Sequence, residues 1–225
     1  MTKAREITFN RQQEEYLIGT LLGDAFIVAP NKYGRVHAAL HIEHSTKQQM
    51  WAEYKAGILG LSYYTRDRFD ERTEKTYHSI YCYSESSPTY TALHATIYRD
   101  GHKTLDRDLL EKAGPLALAT WFLDDGHTEY NQRRCKLHTE RYTLAEQQVI
   151  QQWFIEKWGL HPTISEKPSN GTMKYILIFD VIDSYRLLEI IRPFVTTPDM
   201  MYKVTVKPYT ESREPKWHKE VKTSA

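Results

Sequence analysis

Two aspartates, Asp24 and Asp125, each close an apolar segment: LIGTLLGDA at Leu17–Ala25 and LATWFLDDG at Leu118–Gly126. Apolar residues recur at helical spacing from Tyr16 to Gly23 and from Leu116 to Leu123, and Pro115 suits a first helical turn. Gly19 and Gly23, four apart, share one helix face and admit another backbone at close range; Ala117 and Ala119 are the small residues that would oppose them. Helices packed this way bring Asp24 and Asp125 together, where each carboxylate meets its own helix's partial negative charge and the other acid. A hard divalent cation relieves that repulsion, Mg²⁺ first with Mn²⁺ able to substitute, and it would polarise a phosphodiester and acidify an attacking water. Alone, Asp-Asp-Gly at 124–126 is an ordinary helix end running into a turn. Its recurrence in register favours chemistry.

The register belongs to a repeat. LHIE at Leu40–Glu43 returns as LHTE at Leu137–Glu140, 97 residues on, while Gln48-Gln49 and Gly60-Leu61 return 99 residues on as Gln147-Gln148 and Gly159-Leu160. Two halves follow, 1–103 and 104–225, the second ending in a basic tail. After each motif helix the pattern predicts a hairpin. In RVHAALHIE it places Val36, Ala38, Leu40 and Ile42 on one face and Arg35, His37, Ala39, His41 and Glu43 on the other; in RCKLHTE, Cys135, Leu137 and Thr139 point inward. Amphipathic helices are expected at about 46–59 and 143–158, strands at 62–69, 76–84, 161–167 and 172–180, and final helices at 88–98 and 182–191. The unit αββαββα, used twice, makes an α+β protein of two pseudo-symmetric halves, each an antiparallel sheet with helices on its back and one polar face open.

That open face is basic although the chain is not. Among the 225 residues, 30 Lys and Arg against 29 Asp and Glu leave a formal charge of +1, so no global field advertises a nucleic acid or an anionic membrane. The expected outward set in the first half is Asn31, Lys32, Arg35, His37, His41, Arg66, Arg68, Arg72 and Lys75, with Tyr81 added from the strand TYHSIYCYS. The second half contributes Arg134, Lys136, His138, Lys167 and Lys174. Such residues contact phosphates and major-groove base edges, and β-ribbons fit that groove. Compensating acids, Glu14, Glu15, Glu53, Glu146 and Glu156, fall on the helices. Two separated cysteines, Cys82 and Cys135, lack metal-binding spacing and favour an intracellular, reducing compartment. The first residues, MTKAREITFNRQQEE, lack an apolar secretory core, and no stretch is expected to span a membrane. No nucleophile triad, phosphate-cradling loop or HExxH occurs, and His41 and His44, three apart on a strand, are expected to be poor joint ligands.

LIGTLLGDA and LATWFLDDG resemble the two motifs of single-chain LAGLIDADG homing endonucleases, and PLALATWFLDDG with IRPFVTTPDMMYK near the C-terminus resembles the compact intron-encoded subgroup. The resemblance runs from Tyr16 to about Lys207 and departs from the family pattern at the ninth motif position, Ala25 in the first copy but Gly126 in the second. It implies catalytic, metal-holding acids at the eighth position, Asp24 and Asp125, and a basic residue late in each half, which Lys103 and Lys203, 100 apart, supply. It also implies a monomer without an obligate protein partner that breaks both strands of a long, asymmetric double-stranded DNA by Mg²⁺-assisted hydrolysis. An intron RNA maturase or a DNA-binding regulator of the same fold is the alternative.

Overall fold

The computed structural model describes residues 5–31, 34–169 and 171–208; Lys32 and the tail SREPKWHKEVKTSA lie outside them. Helix α1 (Arg11–Leu22) begins a turn before its apolar run because Asn10 and Gln13 form a reciprocal capping box, and its burial starts at Tyr16. Strands β1 (Phe26–Val28) and β2 (Ala39–Ser45) follow, then α2 (Gln49–Leu59), β3 (Ser62–Asp70), β4 (Lys75–Tyr83) and α3 (Pro88–Ile97). A small hairpin, β5 (Tyr98–Arg99) with β6 (His102–Lys103), and a short helix α4 (Arg107–Lys112) lead to the second copy. That copy runs α5 (Pro115–Asp125), β7 (Gly126–Glu129), β8 (Arg134–Leu137), α6 (Leu144–Trp158), β9 (Thr163–Ser169), β10 (Thr172–Ile178) and α7 (Val181–Ile191). The connector was not anticipated because pieces of two to six residues carry no readable period.

Both four-stranded sheets are antiparallel and share one order, β1-β2-β4-β3 and β7-β8-β10-β9. The repeated Gly-Leu pairs acquire a physical role here. Gly60 (φ 65°) and Gly159 (φ 62°) are left-handed caps that end α2 and α6, and each delivers the next residue, Leu61 or Leu160, into the core. At the centre, α1 and α5 approach almost backbone to backbone. A Cβ on Gly19 would lie 2.3 Å from the Ala117 carbonyl oxygen, and one on Gly23 would lie 2.7 Å from Asp124 Cβ. Helix α5 lacks a side-chain cap of its own; Glu15 of α1 reaches across to accept from the Leu116 and Ala117 backbone N–H groups at 3.1 and 3.2 Å.

The strict alternation expected in RVHAALHIE fails. Pairing starts only at Ala39, Val36 is 71% exposed, and Ala39 and His41, expected outward, are buried. The cause is a second apolar layer on the supposedly open face: the His41 ring packs 5.4 Å from Phe26 and 5.3 Å from Tyr81, with Tyr83 alongside. In β8 and the two residues after it the alternation holds, with Cys135, Leu137 and Thr139 buried.

The close helix approach makes a stability prediction. Gly19→Ala should destabilise the protein by about 1–3 kcal/mol through overpacking. Gly57→Ala, in α2 where an added Cβ meets nothing within 4 Å, should stabilise it by about 0.4–1 kcal/mol. Urea midpoints at constant m-value would check both signs.

Candidate active site

The ends of α1 and α5 gather a dense set of charges. Asp24 follows the Gly23 cap of α1, and Asp125 is the last residue of α5. Burial, then repulsion from Asp124, raises Asp24 to about 6, against the opposing pull of Lys55, Lys203 and Arg141. Burial also raises Asp125 to about 7, with Asp24 and Asp124 adding to it while Arg141 and Lys103 oppose. Burial, more than the neighbouring charge, therefore disfavours the ionised form of both carboxylates. Two hard oxygen donors in that state fit a divalent cation of the Mg²⁺ or Mn²⁺ type.

The lysines are placed symmetrically. Lys103 Nζ donates to the Gly23 and Ala25 carbonyls at 3.2 and 2.7 Å, and Lys203 Nζ donates to the Asp124 carbonyl at 2.7 Å. Gly23 and Asp124 occupy the same place in the two motifs, so each lysine caps the carbonyl end of its own half's motif helix. Their charges act crosswise. Lys203 acts more on Asp24 than on Asp125, and Lys103 more on Asp125 than on Asp24, although each reaches both and Lys55 also acts on Asp24. Burial holds both lysines below the ordinary range, Lys103 well below it.

Four residues at this centre were not anticipated. Extending LHIE and LHTE by one residue yields His44 and Arg141. His44 Nδ1 lies 3.4 Å from Asp24 Oδ2, and Arg141 Nη2 lies 3.2 Å from Asp125 Oδ2. The two acids thus have equivalent but unlike neighbours. Burial pushes His44 down to about 3 and keeps it neutral, whereas its counterpart is a guanidinium. His41 and His44 do face opposite ways, but His44 joins Asp24 and Asp124 in a group whose ligand-type atoms lie within 4.8 Å of one another. Asp124 and Lys55 complete the set as a buried ion pair with contacts of 2.7 and 2.9 Å. Burial, the largest influence on Asp124, pushes it up, but Lys55 and His44 together with hydrogen bonds from Lys55 and Trp51 hold it below the usual carboxylate range. A fixed ammonium on both oxygens leaves Asp124 poorly placed to take a metal. The sequence did carry a signal for Lys55: a lysine within the buried stripe Trp51, Ala52, Ala56 and Leu59.

The sheet residues divide into two differently organised faces. In the first half Arg66 and Arg68 are exposed on β3, their guanidinium carbons 5.5 and 6.0 Å from the ring centres of Tyr81 and Tyr77. Arg72 and Lys75 are exposed at the β3–β4 turn, and Asn31 is exposed with φ 66°. Arg35 is half-buried, and His37 Nδ1 lies 3.4 Å from Thr91 Oγ1 of α3. In the second half carboxylates hold the bases. Glu129 pairs with Lys136 at 2.6 Å and Arg134 at 3.4 Å, and Glu140 pairs with Lys167 at 2.7 Å and His138 at 2.9 Å. Lys167 and Lys174 stand directly opposite across the β9–β10 ladder, a like-charge arrangement that an anion would relieve.

Known proteins match this arrangement. The family model for the LAGLIDADG DNA endonuclease family matches residues 14–185. The chain is 25% identical over 206 residues to "Protein RecA" of Mycolicibacterium flavescens, a match covering 86% of this chain and 46% of that protein. It is 29% identical over 116 residues to cytochrome b mRNA maturase bI2 of Debaryomyces hansenii, covering 51% of this chain and 42% of the maturase. It thus spans about half the length of the curated relatives it matches. Among solved structures, the homing endonuclease I-WcaI bound to its DNA recognition sequence superposes with a TM-score of 0.78 at 22% identity, covering 90% of each chain, and so shares the fold. No helix among the described residues is long and apolar enough to cross a membrane. With two motifs in register, twin sheets of one topology and a family match across most of its length, this chain belongs to the LAGLIDADG DNA endonuclease family.

Proposed function

We propose that the protein is a site-specific DNA endonuclease. It acts as a monomer whose halves, 1–103 and 104–225, each lay a sheet in the major groove and together break both strands of a long, asymmetric target. The observation that carries this reading is the pair Asp24 and Asp125, both raised by burial, each at the end of a motif helix and each reached by a lysine of the other half. A DNA-bound relative of the same fold, I-WcaI, supports the partner. Asp24 and Asp125 would each hold divalent metal at one scissile phosphodiester, where it would polarise the phosphate and lower the pKa of the attacking water. Lys103 and Lys203 neutralise charge developing on the phosphates, and Arg141 adds a fixed positive charge beside Asp125. Arg66, Arg68, Lys136, Lys167 and Lys174, with the remaining basic residues of the two faces, meet phosphates and base edges. The maturase relative raises an RNA-binding alternative. Binding RNA requires basic faces but no paired, charge-strained acids with matched lysines. Free, buried Cys82 and Cys135 suit a reducing compartment.

Single-turnover cleavage of a target-bearing plasmid tests this reading. Mg²⁺ or Mn²⁺ should be required, and cutting that persists in excess chelator would refute the assignment. Asp24→Asn and Asp125→Asn should each retain target binding and accumulate nicked plasmid. Because the lysines act crosswise, Lys103→Met should slow the strand that Asp125→Asn slows, and Lys203→Met the strand that Asp24→Asn slows.

The raised carboxylates also predict a stability profile. A group whose folded pKa exceeds its unfolded value of about 3.9 stabilises the fold below that value, and the contribution is lost as pH rises through the folded pKa. For Asp24 and Asp125 the loss falls between pH 4 and the range of about 6 to 7. Without metal, the double variant Asp24→Asn/Asp125→Asn should therefore gain in Tm over the parent between pH 5 and pH 8. Added Mg²⁺ should raise the parent's Tm at pH 8 and leave the variant's unchanged, which calorimetry in both buffers would show.

A further inference from the structure

The second motif places Asp124 where the first has Gly23, and the surroundings differ accordingly. The Asp124 carboxylate is wholly buried and takes its donors from the first half: Lys55 Nζ at 2.7 and 2.9 Å, Trp51 Nε1 at 2.9 Å, and the backbone N–H of Asp24 at 3.4 Å. The same lag that pairs Gly60 with Gly159 pairs Trp51 with Ile150 and Lys55 with Phe154. The network therefore has no mirror image. Stability does not explain it, because a buried ion pair gains little over a well-packed apolar pair, and the second half carries the buried, apolar Phe154 at the repeat position of Lys55. What the network does fix is geometric. It ties α2 of one half to α5 of the other and ends on the main chain of Asp24, whereas Asp125 is braced by Arg141 at its side chain.

We propose that Lys55 and Asp124 are positioning residues for Asp24, so that they govern cleavage of one DNA strand and leave the other to Asp125 and Arg141. The proposal rests on the endonuclease reading. It makes the two reaction centres unequal by construction: one aspartate is aimed through its backbone by a buried ion pair, and the other through its carboxylate by an exposed arginine. A displacement of a reacting group by about 1 Å costs on the order of 100-fold in rate, so loss of the brace should be visible on its own strand.

The experiment uses a target duplex labelled differently on each strand, cleaved under single-turnover conditions by the full chain. Asp24→Asn and Asp125→Asn first identify which strand each aspartate serves; if they slow both strands alike, the endonuclease site and this proposal both fall. Lys55→Met/Asp124→Ala removes both charges and the acceptor together. It should bind the target in Ca²⁺ as the parent does and slow the Asp24 strand about tenfold or more, leaving the other strand within about threefold. Lys55→Met/Asp124→Asn, which keeps a neutral acceptor for the Asp24 N–H, should restore most of the lost rate. Equal slowing of both strands, no slowing, no rescue by the Asn variant, or failure of the Met/Ala variant to fold would each overturn the proposal, the last because it would make the pair a structural requirement. Failure in this pair of variants with normal strand assignment by the aspartates would overturn the positioning role alone.

Discussion

At Gly19 the backbones of α1 and α5 come so close that a single added carbon would lie 2.3 Å from a carbonyl oxygen. That approach determines what the rest of the molecule must do. It forces the two helix ends, each carrying partial negative charge, to finish side by side with Asp24, Asp124 and Asp125 between them. Three acids in one partly dry volume demand positive charge, and the fold supplies it from four directions: Lys55 from α2, Arg141 just after β8, Lys103 from β6 and Lys203 near the end of the described chain. Even so, burial keeps Asp24 and Asp125 raised.

The compensation is divided unevenly. Asp124 receives a fixed ammonium on both oxygens and is held low, whereas neither Asp24 nor Asp125 is held below the usual carboxylate range. The halves also diverge at their sheet faces. Aromatic rings hold arginines in the first, and carboxylates hold lysines in the second. Either device lowers the entropy lost when a long side chain is fixed against a ligand. Because they differ, the two faces would suit the asymmetric target proposed above.

Much of this was legible in the residues. The Gly19/Gly23 spacing against Ala117 announced the helix contact, although Thr120 and Asp124 complete it in place of Ala119; the repeated Gly-Leu pairs located two helix ends, and the alternation in RCKLHTE oriented β8 correctly. The failures share a physical origin in contacts that join distant segments. Asp124 reads as part of a turn until Lys55, 69 residues away, arrives against it. His41 reads as an outward polar residue until Phe26, Tyr81 and Tyr83 assemble over it. His44 and Arg141 lay one residue beyond the repeat that located their neighbours, and only their places beside the two aspartates give them meaning.

The account stands on Asp24 and Asp125, and not Asp124, being the acids that hold metal. Anomalous diffraction from crystals of the DNA complex grown with Mn²⁺ would test this most directly. The predicted result is anomalous density within about 2.3 Å of an Asp24 and an Asp125 carboxylate oxygen, with Lys55 still seated on Asp124. Density on Asp124 and His44 with Lys55 displaced, or none near either helix end, would contradict it.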